Sequence, residues 1–519
     1  VFGELESKLK GPRGEEERRL AAQTLMNRLM FLRFVERKGW LQFGTDNSYL
    51  KNLAAAGGMK KKSIFQSRLK PLFFDALGSP SGDNSLKDVD AVGDVPFLGG
   101  GLFEESASDK NLDDVPDAQL LKVIGPEGLF YRYNFTVEES TPLDVEVAVD
   151  PEMLGKVFEE LVTGRHESGS YYTPRPVVAF MCREALKGFL AEKAKLPPDV
   201  AAKFVDDADV SGLKESQARE IITALDGLKA VDPACGSGAY LLGLLHELIR
   251  VYRLLYSDKL KRDARSLYDL KLRIISHSLY GVDIDPFATN IAMLRLWLSL
   301  TIEATDPLPL PNLDFKVETG DALLGPDPQK FQEVLGGDTL TEQADHLIHD
   351  KDEYLRAQGN KRVDLRARIA RETSDIAFKL RGLRDAGIID WRIQFAEVFV
   401  KNKGFDVVLA NPPYVRQELI KAVKPKLKEV YGAHFSGTAD LYVFFYLRAL
   451  QLLAAGGMLV FISSNKWFRA GYGEKLRTLF AKEASVRTIL DFHDLPVFES
   501  AIAYPMIFIA AKIPAKPGE

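Results

Sequence analysis

At 519 residues and 57.8 kDa the chain is far longer than the roughly 250–300 residues at which a single hydrophobic core stops growing, so at least two domains are expected. Hydrophobic residues make up 46% and charged ones 27%, which excludes a disordered chain, and a net charge of −5 excludes attraction to nucleic acid over the whole surface. Two cysteines exclude a disulfide framework and a four-cysteine zinc site, which leaves a reducing, cytoplasmic setting and no metal in the expectation.

No charged segment followed by an apolar core stands at Val1, so no signal peptide is expected, and the chain is readable as a piece of something longer. Residues 1–150 read as an N-terminal helical and connector region. Within it, Glu15 to Trp40 carries Leu20, Leu25, Leu29, Leu32 and Val35 at helical spacing, an amphipathic helix. Gly78 to Asp117 is rich in Gly, Asp, Ser and Pro, the composition of a connector or loosely structured stretch.

Residues 151–519 read as one further domain. Glu152 to Leu161 is expected to be helical, and a second helix opens at Pro174 and Pro176 and runs to about Lys193. Strand candidates follow at Lys229–Asp232, Leu279–Ile284, Phe315–Val317, Phe405–Ala410, Met458–Ser463, Val486–Phe492 and Met506–Ala511. Helix candidates between them are Tyr240–Tyr256, Phe287–Ile302, Leu441–Leu453 and Glu474–Ala481. The last strand follows without an intervening helix, so antiparallel pairing with its neighbour is open to it. The alternation implies an α/β fold with a doubly wound, mostly parallel, Rossmann-like sheet of seven strands, in which ligands sit at the carboxyl ends of the strands. A charged helical insertion, about 326–395, interrupts the alternation. Its cations, Arg366 and Arg368 among them, admit two readings: a solvated face, which the charge pattern favours, or an arm that contacts phosphates. The most apolar stretch, Leu441 to Ile462, contains Arg448, Gln451 and Gly456-Gly457, and lacks the ~20 uninterrupted apolar residues a bilayer demands.

Four clusters carry chemistry. Asp232-Pro233-Ala234-Cys235-Gly236-Ser237-Gly238 closes the first strand; its glycines admit a ligand close to the backbone at a helix amino end, although the spacing is neither the dinucleotide fingerprint nor a P-loop. Gly281-Val282-Asp283-Ile284-Asp285-Pro286 closes the second, with Asp283 placed to hold ribose hydroxyls and Asp285 to cap the following helix. Asp321, in Gly320-Asp321-Ala322, is placed to accept from an adenine amino group. Asn411-Pro412-Pro413-Tyr414 closes the fourth. Prolines cannot continue a ladder, so this is a stiff turn with carbonyls left to accept. An exocyclic amino group offers two donors. Held by the Asn411 amide oxygen and the Pro412 carbonyl, its nitrogen moves toward tetrahedral geometry and its lone pair is released to attack a methyl group. Tyr414 would stack on a base extruded from the duplex.

On these motifs the chain resembles the gamma-type S-adenosylmethionine-dependent N6-adenine DNA methyltransferases, and most of all the methylase modules of bifunctional restriction–modification enzymes (types IIG and IIL) and related phage-defence enzymes. Gly169-Ser170-Tyr171-Tyr172-Thr173-Pro174 resembles the family's first cofactor motif, and the resemblance spans about Pro151 to Lys512. It implies that Tyr172, Thr173 and Pro174 border the methionine part of the cofactor, and that Asp232, Ala234, Gly236 and Gly238 floor its pocket. It further implies Asp283 at the ribose, Asp321 and Ala322 at the adenine, and Asn411, Pro412, Pro413 and Tyr414 as the catalytic corner. Leu495-Pro496-Val497-Phe498 resembles a later motif, which nominates Phe498 as a second base-stacking residue. The implied cofactor is S-adenosylmethionine and the implied partner double-stranded DNA, with target recognition from missing sequence or another subunit. Glu6-Ser7-Lys8 and Asp269-Leu270-Lys271 come near a nuclease pattern, but on expected helices without an acidic partner, so no nuclease is expected.

Three rival readings exist. Cytosine C5 methylation requires a nucleophilic Cys, and Cys235 sits in the glycine turn while Cys182 sits on a helix. Protein-glutamine N5-methylation uses the same Asn-Pro-Pro-Tyr corner, in much shorter enzymes. A catalytically idle DNA-binding subunit of a defence complex would have lost Asp232, Asn411 or Tyr414, all of which are present.

Overall fold

The structure, a computed structural model, describes residues 1–79, 89–135, 148–149, 173–261, 266–330, 338–379, 387–495, 497–498 and 504–514. Its backbone packing divides the chain into two units: Val1–Val157 with Met293–Asp314 and Glu353–Arg366, and Phe158–Ala292 with Phe315–Asp352 and Ala367–Glu519.

The first unit is built on α1 (Glu15–Arg37), which is three residues shorter than its apolar periodicity suggests. Its buried face carries Leu25, Leu29, Phe31 and Leu32, and also charge. Arg28 is buried and binds both carboxylate oxygens of Asp109, at 2.6 and 2.9 Å, while Nε donates to the Leu102 carbonyl at 2.7 Å. A guanidinium removed from water is tolerated when it is matched in this way, so Asp109 and its neighbours are pinned to the helix. The expectation of a loose connector over Gly78 to Asp117 is therefore corrected for the described part. Val95, Leu98, Phe103, Leu112 and Val115 are all buried, and Gln42 and Asp94 exchange backbone hydrogen bonds of 2.9 Å. Composition suggested solvation; long-range partners supplied order.

The second unit holds the sheet. Its elements in chain order are α2 (Arg175–Lys193), β1 (Ala230–Asp232), α3 (Ala239–Arg253), β2 (Leu279–Asp283), α4 (Pro286–Glu303), β3 (Val317–Thr319), α5 (Asp338–Tyr354) and α6 (Gly359–Lys379). They continue with β4 (Phe405–Ala410), α7 (Leu441–Leu452), β5 (Leu453–Ser464), α8 (Glu474–Glu483), β6 (Ser485–Asp491) and β7 (Pro505–Ala511). Parts of α4, α5 and α6 fall in the first unit. The strand order is β3-β2-β1-β4-β5-β7-β6, with β7 antiparallel to both of its neighbours and the remaining pairs parallel. The order reverses between β1 and β4, the switch point where such sheets open a crevice at their carboxyl ends. The central strands β4 and β7 are buried along their whole length, as apolar runs covered on both faces must be.

All seven expected strands are present. The third is shifted by two residues, because the pairing of Gly281 with Val317 starts the ladder after the half-buried Phe315. The fifth begins at Leu453, directly after α7, and bends at Gly456 (φ 77°) where a turn was expected. Helix α3 passes at Leu254 into a π-helical segment, Leu254–Lys259. The expected helix Glu152–Leu161 lies outside the described residues. Both near-nuclease tripeptides lie on helices, Phe2–Lys8 and Leu267–His277. No described helix is long and apolar enough to cross a membrane.

Candidate functional site

The carboxyl ends of β1 and β2 are bound into one loop system. The pairing of Asp232 with Gly281 sets the two ends side by side. The Cys235 amide donates to the Val282 carbonyl at 2.9 Å, and the Gly236 amide donates to Asp283 Oδ2 at 2.9 Å. Asp283 Oδ1 accepts from the Asp285 amide, also at 2.9 Å. Gly236 (φ 51°) and Gly238 (φ 83°) adopt left-handed backbone conformations, and a Cβ on Gly238 would meet the Ala292 Cβ at 3.0 Å. Glycine is required there for both reasons. Asp285 accepts from the Phe287 amide at 2.8 Å and caps α4, as expected.

Of the two acids of this system, Asp232 is buried and Asp283 half-buried. Asp232 Oδ1 accepts from the Ala234 amide at 3.0 Å, but Oδ2 is buried with no hydrogen-bond partner among the described residues. Burial, with the nearby Asp283 charge adding to it, pushes the Asp232 carboxyl well above the usual carboxylate range. Burial likewise raises Asp283, to about 6, against the opposing pull of the Asp285 and Gly236 amides. An orphaned buried carboxylate oxygen is costly unless a donor meets it. These features suit a cationic, hydroxyl-bearing nucleoside. Ile284, which sequence reasoning passed over, follows Asp283 in the chain with 70% of its surface exposed, an apolar face that a planar base could cover. Burial also raises both cysteine thiols, which fits inert fillers rather than nucleophiles.

The end of β3 joins the same system, since the Gly320 amide donates to the Asp283 carbonyl at 2.8 Å. Asp321 Oδ1 accepts from the amides of Leu323 and Leu324 at 2.8 and 3.0 Å, and the Ala322 carbonyl accepts from Trp391 Nε1 at 3.0 Å. A residue that sequence reasoning did not assign to the site holds this loop. Arg448, fully buried on α7, donates to the carbonyls of Leu323 (2.6 Å), Gly325 (2.5 Å) and Pro326 (3.0 Å). The Tyr431 hydroxyl adds a second donor to Leu323, at 3.0 Å. An arginine inside an apolar helix is the signal that could have revealed it, because such a charge must have acceptors to satisfy.

At the end of β4, Asn411 to Tyr414 leave the sheet next to β1, which pairs with β4 through Ala230–Val407 and Val231–Val408. Asn411 Nδ2 donates to Thr173 Oγ1 at 3.1 Å. Thr173 also meets the hydroxyl of Tyr240, in the first turn of α3, just past Gly238. The diproline corner and the glycine turn are thus joined through one threonine. Beyond the corner, the Leu441 amide donates to the Val415 carbonyl (2.9 Å) and the Gln417 amide to Asp440 Oδ1 (3.0 Å), which ties the turn to the start of α7. Tyr414 packs edge-on against Phe498 (6.2 Å between ring centres, 80°) and against Tyr442 (6.1 Å, 68°), so the two nominated aromatics meet. Pro174 caps α2, while Tyr172 lies outside the described residues.

Three of the insertion's arginines are already matched. Arg362 and Arg366 pair with Glu104 at 2.7 and 2.9 Å, and Arg368 holds both oxygens of Asp350. For these three residues the pairing counts against an arm that contacts phosphates. Arg416 and Lys421, in the turn after the diproline corner, are exposed instead.

Comparison with known proteins follows the same lines. Residues 277–498 match the Eco57I restriction-modification methylase family, and residues 209–304 the MmeI DNA-methyltransferase domain. A Methanocaldococcus jannaschii protein described as a type II restriction enzyme and methyltransferase is 26% identical over 97% of this chain and 49% of its own length. The type II methyltransferase M.XhoI of Xanthomonas vasicola is 44% identical over 20% of this chain and 19% of its own. The chain thus spans half or less of the length of these relatives. Among solved structures, the type IIL restriction-modification enzyme MmeI in complex with DNA superposes with a TM-score of 0.58 at 17% identity, over 99% of this chain and 57% of that one, a likeness of fold. Residues 209–498 are thus the part of the chain that matches restriction-modification methylase domains of the Eco57I and MmeI type.

Proposed function

We propose that the chain transfers a methyl group from S-adenosylmethionine to N6 of an adenine turned out of duplex DNA, in a cytoplasmic restriction–modification or phage-defence system. The observation that carries this reading is the link from Asn411 through Thr173 to Tyr240, which sets the diproline corner beside the glycine turn. The cofactor supplies an electrophilic methyl on a sulfonium. Asp283 would take its ribose hydroxyls, Asp321 Oδ2 its adenine amino group, and Asp232 would place a carboxylate oxygen in the pocket floor. The Asn411 amide oxygen and the Pro412 carbonyl would accept both hydrogens of the target amine, while Tyr414 and Phe498 hold the base. The corner would thereby aim the target nitrogen's lone pair for direct displacement at that methyl, the bonding pair staying with the sulfur and the amine's proton leaving to solvent. No residue becomes covalently modified, in keeping with two buried, inert thiols. Most of the rate advantage would come from positioning.

Sequence recognition would come from another segment or subunit. The test is transfer of labelled methyl into DNA by the natural full-length protein that contains this chain. Asn411→Ala should abolish transfer and leave binding of S-adenosylhomocysteine within about twofold; full transfer by that variant would refute the mechanism. The rival substrate, a protein glutamine amide, predicts label in protein and none in DNA.

A further inference from the structure

We propose that Thr173 is a positioning residue for the amide of Asn411, in addition to the cofactor-bordering place its motif implies. This rests on the reading of Asn411 as the acceptor for the target amine. A primary amide is nearly symmetric in shape but opposite in polarity at its two ends, and nothing in its own torsional preference selects which end faces a ligand. If the NH2 end faced the target amine, two donors would confront each other and the reaction would stop. The orientation must be imposed by a neighbour that discriminates donor from acceptor.

Thr173 does this. Its hydroxyl proton goes to the Tyr240 oxygen, whose own proton is directed at Met181 Sδ, so the Thr173 oxygen is left to accept from Asn411 Nδ2 at 3.1 Å and Oδ1 is set at the other end of the amide group. The threonine is itself held. It is buried, with 4% of its surface exposed, it stands immediately before the rigid Pro174 that opens α2, and it meets the hydroxyl of Tyr240. Tyr240 is fixed in turn by burial and by a 3.2 Å approach of its hydroxyl to Met181 Sδ on α2. A threonine with a β-branched side chain, between a proline and a buried tyrosine, is a stiff reference point for the amide. The arrangement also joins the motif that borders the cofactor to the residue that receives the base, so that both halves of the reaction share one anchor.

The experiment compares Thr173→Val and Thr173→Ser with the unaltered full-length protein in single-turnover methyl transfer to DNA, alongside S-adenosylhomocysteine binding and thermal melting. Valine keeps the shape and removes the acceptor. The expected result is a kcat lowered about five- to tenfold, the scale of one hydrogen bond, with cofactor affinity changed less than twofold and with serine near the unaltered rate. Thr173→Val with unaltered kcat overturns the proposal. So does a variant whose loss lies wholly in cofactor affinity, since Thr173 then acts only on the cofactor. Equal loss with Val and Ser overturns it as well, because serine keeps the hydroxyl. Should valine fail to fold, Thr173→Ala is measured against the same serine reference, and the same outcomes decide. Absence of methyl transfer from the unaltered protein sinks the underlying reading, and this inference with it; transfer at the same rate by the unaltered protein and the valine variant sinks this inference alone.

Discussion

Asp283 offers the sharpest prediction. Its carboxyl is raised by burial from an ordinary 3.8 to about 6 in the ligand-free protein. A shift of about two units corresponds to about 3 kcal/mol of disfavoured charge. For a raised carboxyl, stability from this group is complete below its unfolded value and is lost as pH rises through the folded one, so the ligand-free protein carries the full penalty at neutral pH. Two ribose hydroxyls donating to the carboxylate would oppose that penalty and return the bound value toward the ordinary range. Cofactor binding is then linked to release of a proton between about pH 4 and pH 6. With the free group at about 6 and the bound one at or below about 4, affinity at pH 5 is about tenfold weaker than at pH 7.5, and flattens again below about pH 4. Isothermal titration with S-adenosylhomocysteine across that range measures it. Asp283→Asn should bind weakly and lose the pH dependence. Affinity unchanged between pH 7.5 and pH 5, or rising as pH falls, would refute the linkage.

The same geometry sets the effect of further substitutions. Gly238→Ala places a Cβ 3.0 Å from the Ala292 Cβ on a left-handed backbone, and should cost about 1–2 kcal/mol in denaturant unfolding together with weaker cofactor binding. Arg448→Met removes the donor from three carbonyls in a buried site and should destabilise by about 3 kcal/mol or more, whereas Tyr431→Phe should cost about 1 kcal/mol and raise the cofactor KM more than it lowers kcat. Charge reversal at Arg366 or Arg368, both already paired with acids, should leave the salt slope of DNA binding unchanged. Reversal at the exposed Arg416 and Lys421 should flatten that slope by about 1 for each phosphate no longer neutralised. Filter binding over a range of salt separates these outcomes.

The strands β1, β2 and β4 were legible because each is an apolar run that stops at an acid or at Asn411-Pro412, and those endings are the proposed site. Asp232, Asp283, Asp321 and Asn411 could be placed at strand ends from the sequence for that reason alone. The strand at Val317–Thr319 slipped because it is short and lies at the edge, where pairing rather than hydrophobicity decides the start. The role of Asp109 was hidden because its partner, Arg28, lies 81 residues away, and composition carries no trace of such a pair. Arg448 was visible as a charge inside an apolar helix, yet it served only to argue against a membrane span; the carbonyls it holds belong to a loop more than 120 residues earlier. The hydrogen bond between Thr173 and Asn411 joins two motifs 238 residues apart and required the fold. The amino-terminal grouping of Met293–Asp314 and Glu353–Arg366 likewise follows from packing, with no break in composition to announce it.

The most direct test is nucleoside mass spectrometry of duplex DNA incubated with the full-length protein and isotopically labelled S-adenosylmethionine. The proposed mechanism predicts label in N6-methyladenine at a defined sequence and its loss in Asn411→Ala. Label confined to 5-methylcytosine, or methylation that persists when Asn411 is removed, would contradict it.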